Sequence, residues 1–168
     1  MSSQDGPERV WVMHLLFFRH GEAEELGVAG TDAKRRLTPQ GEAENRLALE
    51  AIQRAGVRLD VIVHSPLVRA AQTAEAAGTA LGPPDGVHAD DRLRGGAGLE
   101  EVQGIVRDYP AKALMLIGHN PDLSTIVGDL LGEARIALKT SGVACVELPV
   151  VEPGAGELQW LIHAKLLG

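Results

Sequence analysis

Three short apolar runs, at residues 14–18, 60–64 and 113–117, most constrain the fold of this chain. Each run is followed by a polar turn and then by a helical pattern, which is typical of strands buried in a sheet. Strands that alternate with helices predict an α/β domain with a mostly parallel central sheet. Two later runs, at 142–150 and 157–166, flank a Glu-Pro-Gly-Ala-Gly turn and predict an antiparallel edge to that sheet.

Two Ser/Thr-Pro pairs mark the starts of helices between these runs. Thr38-Pro39 predicts an N-cap and a first helical position for a helix that ends near residue 55. Ser65-Pro66 predicts the same arrangement for an alanine-rich helix over about residues 67–81. Two more helices are predicted over residues 99–109 and 123–131.

Length and composition set limits on the class of protein. The 168 residues suit one domain, which we predict over 13–168, and the polar residues 1–12 are predicted to form a disordered extension. Because Cys145 is the single cysteine, no intrachain disulfide can form, and a cytoplasmic setting is expected. The net charge of −7 argues against nucleic acid as a partner. No apolar stretch has the length of a membrane span, so no membrane association is expected.

Arginine and histidine side chains follow the predicted strands at the points where the strands end. The first strand leads into Arg19-His20-Gly21-Glu22, the second into a segment that carries Arg69, and the third into Gly118-His119-Asn120-Pro121. Ligands of such sheets bind beyond the carboxyl ends of the strands. If the three ends open onto one edge, two arginines and two histidines converge on one pocket.

This set of side chains suits phosphoryl transfer. Arginine forks pair bidentately with phosphate oxygens, one histidine can attack phosphorus, and the other can donate to an equatorial oxygen. No step requires a metal ion or a cofactor, and the sequence shows no carboxylate cluster typical of a magnesium site. Each motif alone is weak, since Arg69 by itself is typical of a surface arginine and His119 of a turn residue. Their shared placement at strand ends is what favours catalysis.

The motifs together resemble one known family, the histidine phosphatase superfamily, and within it the small SixA-type phosphohistidine phosphatases. The likeness extends over nearly the whole chain from Met13 onward, and implies a three-layer, phosphoglycerate mutase-like fold. The motifs that carry it are Arg19-His20-Gly21-Glu22-Ala23, Asp32 and Arg35 ahead of Leu37-Thr38-Pro39 and Gly41, Ser65-Pro66-Leu67 with Arg69-Ala70 and Gln72-Thr73-Ala74, the run Gly118–Ser124, and the stretch Lys139–Ala144.

The resemblance also implies roles for individual residues. His20 would be transiently phosphorylated, the phosphoryl group would be bound by Arg19, Arg69 and His119, and water would then hydrolyse the phosphohistidine intermediate. The residues expected to bind substrate beside them are Gly21, Glu22 and Asn120. No metal and no cofactor is implied.

One departure from the family pattern bears on the substrate. Mutases and ester phosphatases of this superfamily carry a glutamate general acid where this chain has Leu93-Arg94-Gly95. An alkoxide leaving group needs a proton, whereas a phosphoramidate has a weaker bond and can do without a dedicated acid. The expected substrate is therefore a phosphohistidine-bearing protein, such as a phosphotransfer domain. It stays open whether a nearby carboxylate serves as the acid, namely Asp90, Asp91, Glu100 or Glu101.

Two alternatives remain from the sequence. The first is a broad-specificity phosphomonoesterase that acts on small phosphate esters. The second is a non-catalytic phosphate-binding module, although such a module has no need of the His20 nucleophile. The sequence identifies neither the phosphorylated substrate nor the oligomeric state.

Overall fold

The structure is a computed structural model that describes residues 11–168, so most of the predicted extension at 1–12 lies outside the described residues. Its centre is a six-stranded sheet with the order β3-β2-β4-β1-β5-β6. The strands are β1 (Met13–Arg19), β2 (Val61–His64), β3 (Val87–Ala89), β4 (Ala113–Gly118), β5 (Val143–Leu148) and β6 (Glu157–Ile162).

The direction of the strands confirms the predicted α/β class with an antiparallel edge. Strands β3, β2, β4 and β1 pair in parallel, whereas β5 runs antiparallel to β1 and β6 runs antiparallel to β5. The sequence analysis placed no strand at β3, which has three residues and is largely exposed. A strand this short shows too little alternation of apolar and polar residues to stand out from a loop.

Helices cover both faces of the sheet, which confirms the three-layer architecture. Within residues 11–168 the α-helices are α1 (Leu26–Ala29), α2 (Pro39–Arg54), α3 (Val68–Leu81), α4 (Leu99–Asp108) and α5 (Asp122–Leu130). Side chains of β1 alternate between two cores, because successive residues of a strand point to opposite faces. Leu15 and Phe17 pack in the core that contains residues of α4 and α5, and Leu16 and Phe18 in the core that contains residues of α2 and α3.

The two predicted N-caps have different outcomes. Thr38 caps α2 as predicted, because its side chain accepts a hydrogen bond from Gly41 N at 3.1 Å. Ser65 does not cap α3, and that prediction is wrong: the helix begins at Val68 and its N-cap is Leu67. The Ser65 hydroxyl lies instead against the ring of His119.

The first turn of α2 packs tightly against the loop that follows β1. A Cβ atom at Gly41 would lie 2.2 Å from the carbonyl oxygen of Glu22, and one at Gly21 would lie 2.7 Å from the carbonyl oxygen of Gly41. Both positions therefore require glycine. This contact fixes the loop that carries the predicted nucleophile against the helix layer.

None of the helices within residues 11–168 combines the length and the apolar character needed to cross a bilayer.

Candidate active site

The structure brings together the predicted catalytic residues at the carboxyl edge of the parallel strands. Strands β1 and β4 are neighbours, with Arg19 in register with Gly118, and His20 N donates to Gly118 O at 3.2 Å. The ring centroids of His20 and His119 lie 5.0 Å apart. Arg69 reaches the same point from α3, with its Nε 3.1 Å from His20 Nε2.

His20 is held in a form that can act as a nucleophile. Its Nδ1 lies 2.7 Å from the carbonyl oxygen of Gly21, and a carbonyl only accepts, so Nδ1 carries the proton. The lone pair is therefore on Nε2, where it accepts from Arg69 Nε. Burial lowers the pKa of His20 to about 3, so the ring is neutral at pH 7. The arginine fork lies directly beside the atom that would receive a phosphoryl group.

His119 offers a hydrogen-bond donor to the same space. Its Nε2 lies 2.7 Å from Ser65 Oγ, and Ser65 Oγ in turn accepts from Leu67 N at 3.3 Å. A hydroxyl can donate or accept, so this contact fits either tautomer of His119; with Ser65 as the donor, the ring proton of His119 lies on Nδ1. This Nδ1 is buried and has no hydrogen-bond partner within residues 11–168. A neutral N–H in this position suits an equatorial phosphoryl oxygen.

Ser65 is thus a functional candidate that sequence reasoning missed. We expect Ser65→Ala to lower kcat by about 10–100-fold, because outer partners that fix the orientation of a histidine ring have effects of this size. Steady-state kinetics and ¹⁵N NMR of the His119 ring would measure the loss and the change of tautomer. Ser65→Cys, which keeps a weak donor, should recover part of the rate. An Ala variant with unchanged kcat and an unchanged His119 tautomer would refute this role.

Arg69 is anchored by Asp32 from the loop before α2. The guanidinium is buried, and its Nη1 and Nη2 donate to Asp32 O at 2.8 Å and Asp32 Oδ2 at 3.1 Å. Burial raises the pKa of the Asp32 carboxyl, but hydrogen bonds from Arg35 and Arg69 outweigh it and lower the pKa overall. Asp32 therefore stays ionised and orients Arg69. The sequence marked Asp32 only as a family motif, since nothing local pairs it with residue 69.

Arg19 and Asn120 share one backbone acceptor. Arg19 Nη1 donates to Leu138 O at 3.1 Å, and Asn120 Nδ2 donates to the same oxygen at 2.8 Å. The other end of the Asn120 amide accepts from Ser124 Oγ at 2.9 Å. Asn120, predicted to bind substrate, thus uses both ends of its amide to hold the loop at Leu138 and, through it, Arg19. Burial lowers the pKa of Arg19.

Gly21 and Glu22, the other two residues predicted to bind substrate, also make bonds within the protein. Gly21 N donates to Thr73 Oγ1 at 3.4 Å, and its carbonyl oxygen accepts from His20. The Glu22 carboxylate accepts from the Thr38 hydroxyl at 3.2 Å. In the structure these residues join the nucleophile loop to α2 and α3.

Two of the four carboxylates near Leu93 have a lowered pKa, which favours their ionised form. Arg92 donates to Asp90 through Nε at 2.9 Å, and this contact lowers the pKa of Asp90. Gly98 N donates to Glu101 at 2.8 Å and lowers the pKa of that side chain. The other two candidates, Asp91 and Glu100, are exposed. A general acid needs the opposite shift, toward higher pKa, so neither Asp90 nor Glu101 suits that role. Within residues 11–168 no cluster of three His, Cys, Asp or Glu could hold a metal ion.

The neutral state of the two site histidines gives a pH prediction. Burial lowers the pKa of His20 to about 3 and of His119 to about 4, below the ordinary value of 6.5. Their ring signals should therefore not titrate between about pH 8 and pH 5 in a ¹³C or ¹⁵N NMR series. Since the unfolded chain takes up these protons first, both groups make the fold less stable as pH falls below 6.5. A midpoint above pH 6 for either ring would contradict this.

Comparison with known proteins places the chain in a family. The family model described as histidine phosphatase superfamily (branch 1) matches residues 15–101, more than half of the chain. The chain belongs to the histidine phosphatase superfamily.

Two relatives of this histidine phosphatase are similar to it in sequence, and one of them carries a phosphatase name. This histidine phosphatase is 31% identical over 153 residues to phosphohistidine phosphatase SixA of Escherichia coli K12. The alignment covers 88% of this chain and 92% of the relative. It is also 38% identical over 117 residues to an uncharacterized protein of Picosynechococcus, covering 66% of this chain and 68% of that protein.

Solved structures show the same fold. The protein histidine phosphatase SixA complexed with tungstate matches with a TM-score of 0.80 and 27% identity, over 93% of this chain and all of that chain. A phosphoserine phosphatase of Entamoeba histolytica matches with a TM-score of 0.65 at 18% identity, a likeness that concerns the fold alone. The family and the SixA relatives establish the enzyme class: this histidine phosphatase is a metal-independent phosphohydrolase of the SixA type.

Proposed function

We propose that this enzyme removes the phosphoryl group from a phosphohistidine side chain of another protein. The observation that carries the proposal is the pairing of a neutral, buried His20 with the Arg69 fork, while Asp90 and Glu101 are held ionised and unsuited to protonate a leaving alkoxide. A substrate whose leaving group needs no proton from the enzyme fits this arrangement.

The reaction has two steps. In the first, the hydrogen bond from Arg69 Nε to His20 Nε2 is broken and Nε2 attacks phosphorus. The P–N bond of the substrate breaks, so that the substrate imidazole leaves and the phosphoryl group is carried on His20. The second ring nitrogen of the substrate takes a proton from solvent, so the leaving group is a neutral imidazole. In the second step water attacks phosphorus, the bond to His20 breaks, and inorganic phosphate is released.

The other site residues stabilise charge on the phosphoryl oxygens. Arg69 and Arg19 supply positive charge on two sides, and His119 Nδ1 supplies a neutral donor. Asp32 orients Arg69, Ser65 sets the tautomer of His119, and Asn120 supports Arg19 through Leu138. The 31% identity to a protein named phosphohistidine phosphatase supports the choice of a phosphohistidine-bearing protein, such as a phosphotransfer domain, as partner.

Two peptides of one sequence test the substrate class. One carries phosphohistidine and the other phosphoserine at the same position, so they differ in the scissile bond and its leaving group. We expect kcat/KM to favour the phosphohistidine peptide by at least about 100-fold, because general acid catalysis of ester cleavage is worth roughly 10²–10⁴-fold. Equal or faster release from phosphoserine would favour a phosphomonoesterase instead. Binding without release from either peptide would favour a non-catalytic module.

A further inference from the structure

A basic cavity lies next to the candidate phosphoryl site and plays no part in the chemistry described above. Its volume is about 390 Å³, and its lining includes Arg19, Lys139, His163, Lys165 and Leu166. Because Arg19 belongs to both, the cavity adjoins the space where the phosphoryl group would bind. None of its lining residues is an aspartate or a glutamate.

The charge of this cavity contrasts with the rest of the molecule. Lys139 and Lys165 are exposed, and neither forms a salt bridge within the described part of the chain, residues 11–168. Two arginines near the site differ from these lysines, because Arg35 and Arg69 each form a salt bridge with Asp32. In a chain of net charge −7, cations grouped without carboxylates create a local positive potential that attracts anions.

The wall of the cavity also holds polar atoms that lack partners. Arg19 Nε and His163 Nε2 are buried and have no hydrogen-bond partner within residues 11–168. Because both atoms are shielded from solvent, the attraction of the cavity for anions depends on the exposed side chains of Lys139 and Lys165.

The position of Lys139 relative to His20 is fixed by the backbone. Leu138 O accepts from Arg19 and from Asn120, and Gly142 N donates to Lys139 O at 2.8 Å. Ser141 N donates to Arg19 O at 3.1 Å, which ties the same loop to the end of β1. These bonds hold the backbone of the loop that carries Lys139 against the end of β1, directly before His20.

We propose that this cavity binds the carboxylates of acidic side chains that flank the phosphohistidine of the protein substrate. The inference rests on the proposed function and adds a preference for acidic surroundings. The grouped cations and the lack of acidic side chains in the lining make the cavity complementary in charge to such carboxylates.

Binding of two matched peptides tests the proposal. Each carries a non-hydrolysable phosphonate analogue of phosphohistidine. One flanking residue on each side of the analogue is Asp in the first peptide and Asn in the second. In fluorescence anisotropy at low salt, the Asp peptide should bind about fivefold to tenfold more tightly, as expected for two exposed ion pairs. Added salt should reduce this preference, because exposed charges are screened.

Variants assign the preference to the cavity. The double variant Lys139→Gln, Lys165→Gln should lose the preference for the Asp peptide. The matched control Lys112→Gln removes an exposed lysine just before β4, at the opposite end of that strand from His119, and should keep the preference. Equal binding of both peptides by the wild type, or a preference that survives in the double variant, would overturn the proposal.

Two further outcomes would indicate a different ligand or a different reaction. If 3-phosphoglycerate competes better than glycerol 3-phosphate, and this advantage depends on the two lysines, the cavity serves a small carboxylated phosphate and the proposal is wrong. If neither peptide binds, and phosphoserine is hydrolysed while phosphohistidine is not, the proposed function fails and the inference fails with it. Loss of the Asp preference alone leaves the proposed function intact.

Discussion

His20→Ala should lower the release of phosphate from a phosphohistidine peptide by about 10⁴-fold or more, because the variant lacks the atom that attacks phosphorus. The other ring at the site, His119, does not offer its Nε2 as a replacement nucleophile, because this nitrogen is hydrogen-bonded to Ser65 Oγ at 2.7 Å. The measurement is phosphate release under single-turnover and steady-state conditions.

Trapping of the phosphoenzyme distinguishes loss of the nucleophile from loss of the fold. Wild type quenched during turnover should carry acid-labile, alkali-stable phosphate, and the Ala variant should carry none. Circular dichroism should show that the variant stays folded, because His20 lies at the end of β1 and outside the two apolar cores. Turnover within tenfold of wild type would disprove the assignment of His20.

Arg69→Lys should lower kcat/KM by about 10²–10³-fold although the charge is kept, because this is the usual cost of removing a preorganised donor to developing charge. The guanidinium contacts His20 Nε2 through Nε and binds Asp32 through both terminal nitrogens. A lysine ammonium is a point charge that cannot make these contacts in one plane.

Asp32→Asn is the matched control for this arginine. It removes the charge that faces Arg69 while the main-chain oxygen of residue 32, which accepts from Arg69 Nη1, remains. We expect a loss of less than about tenfold, since the Asp32 carboxylate is more than half exposed and such contacts are weak. If Arg69→Lys retains full activity, the arginine is not the main phosphoryl ligand; if Asp32→Asn costs as much as Arg69→Lys, the carboxylate is essential for the position of Arg69.

The sequence predicted the parts of this enzyme that depend on local pattern. Apolar runs predicted β1, β2, β4 and the hairpin of β5 and β6, and the rule that ligands bind at strand ends located His20 and His119 together. The structure places the two rings 5.0 Å apart. Both inferences need only the order of elements along the chain.

Features that depend on contacts between distant residues were missed. Ser65 sits before Pro66 in a pattern typical of a helix start, yet its hydroxyl binds a ring 54 residues further along the chain. Asp32 binds Arg69, which lies 37 residues further along the chain, and Asn120 binds Leu138, which lies 18 residues further along the chain. The pattern of apolar and polar residues along the sequence does not predict such pairs, because these hydrogen bonds depend on how the helices, strands and loops pack together.

The pairing of β1 has a consequence for how the enzyme is made. This strand is translated first, but its partners are β4 at residues 113–118 and β5 at residues 143–148. The four apolar residues 15–18 are fully buried in the finished sheet. During synthesis they cannot be buried in this way until β4 and β5 have been translated. Folding dominated by such distant pairings is slow. The nucleophile pocket therefore forms only after β5 has been synthesised, and until then the growing chain exposes the apolar residues of β1 and has no complete active site.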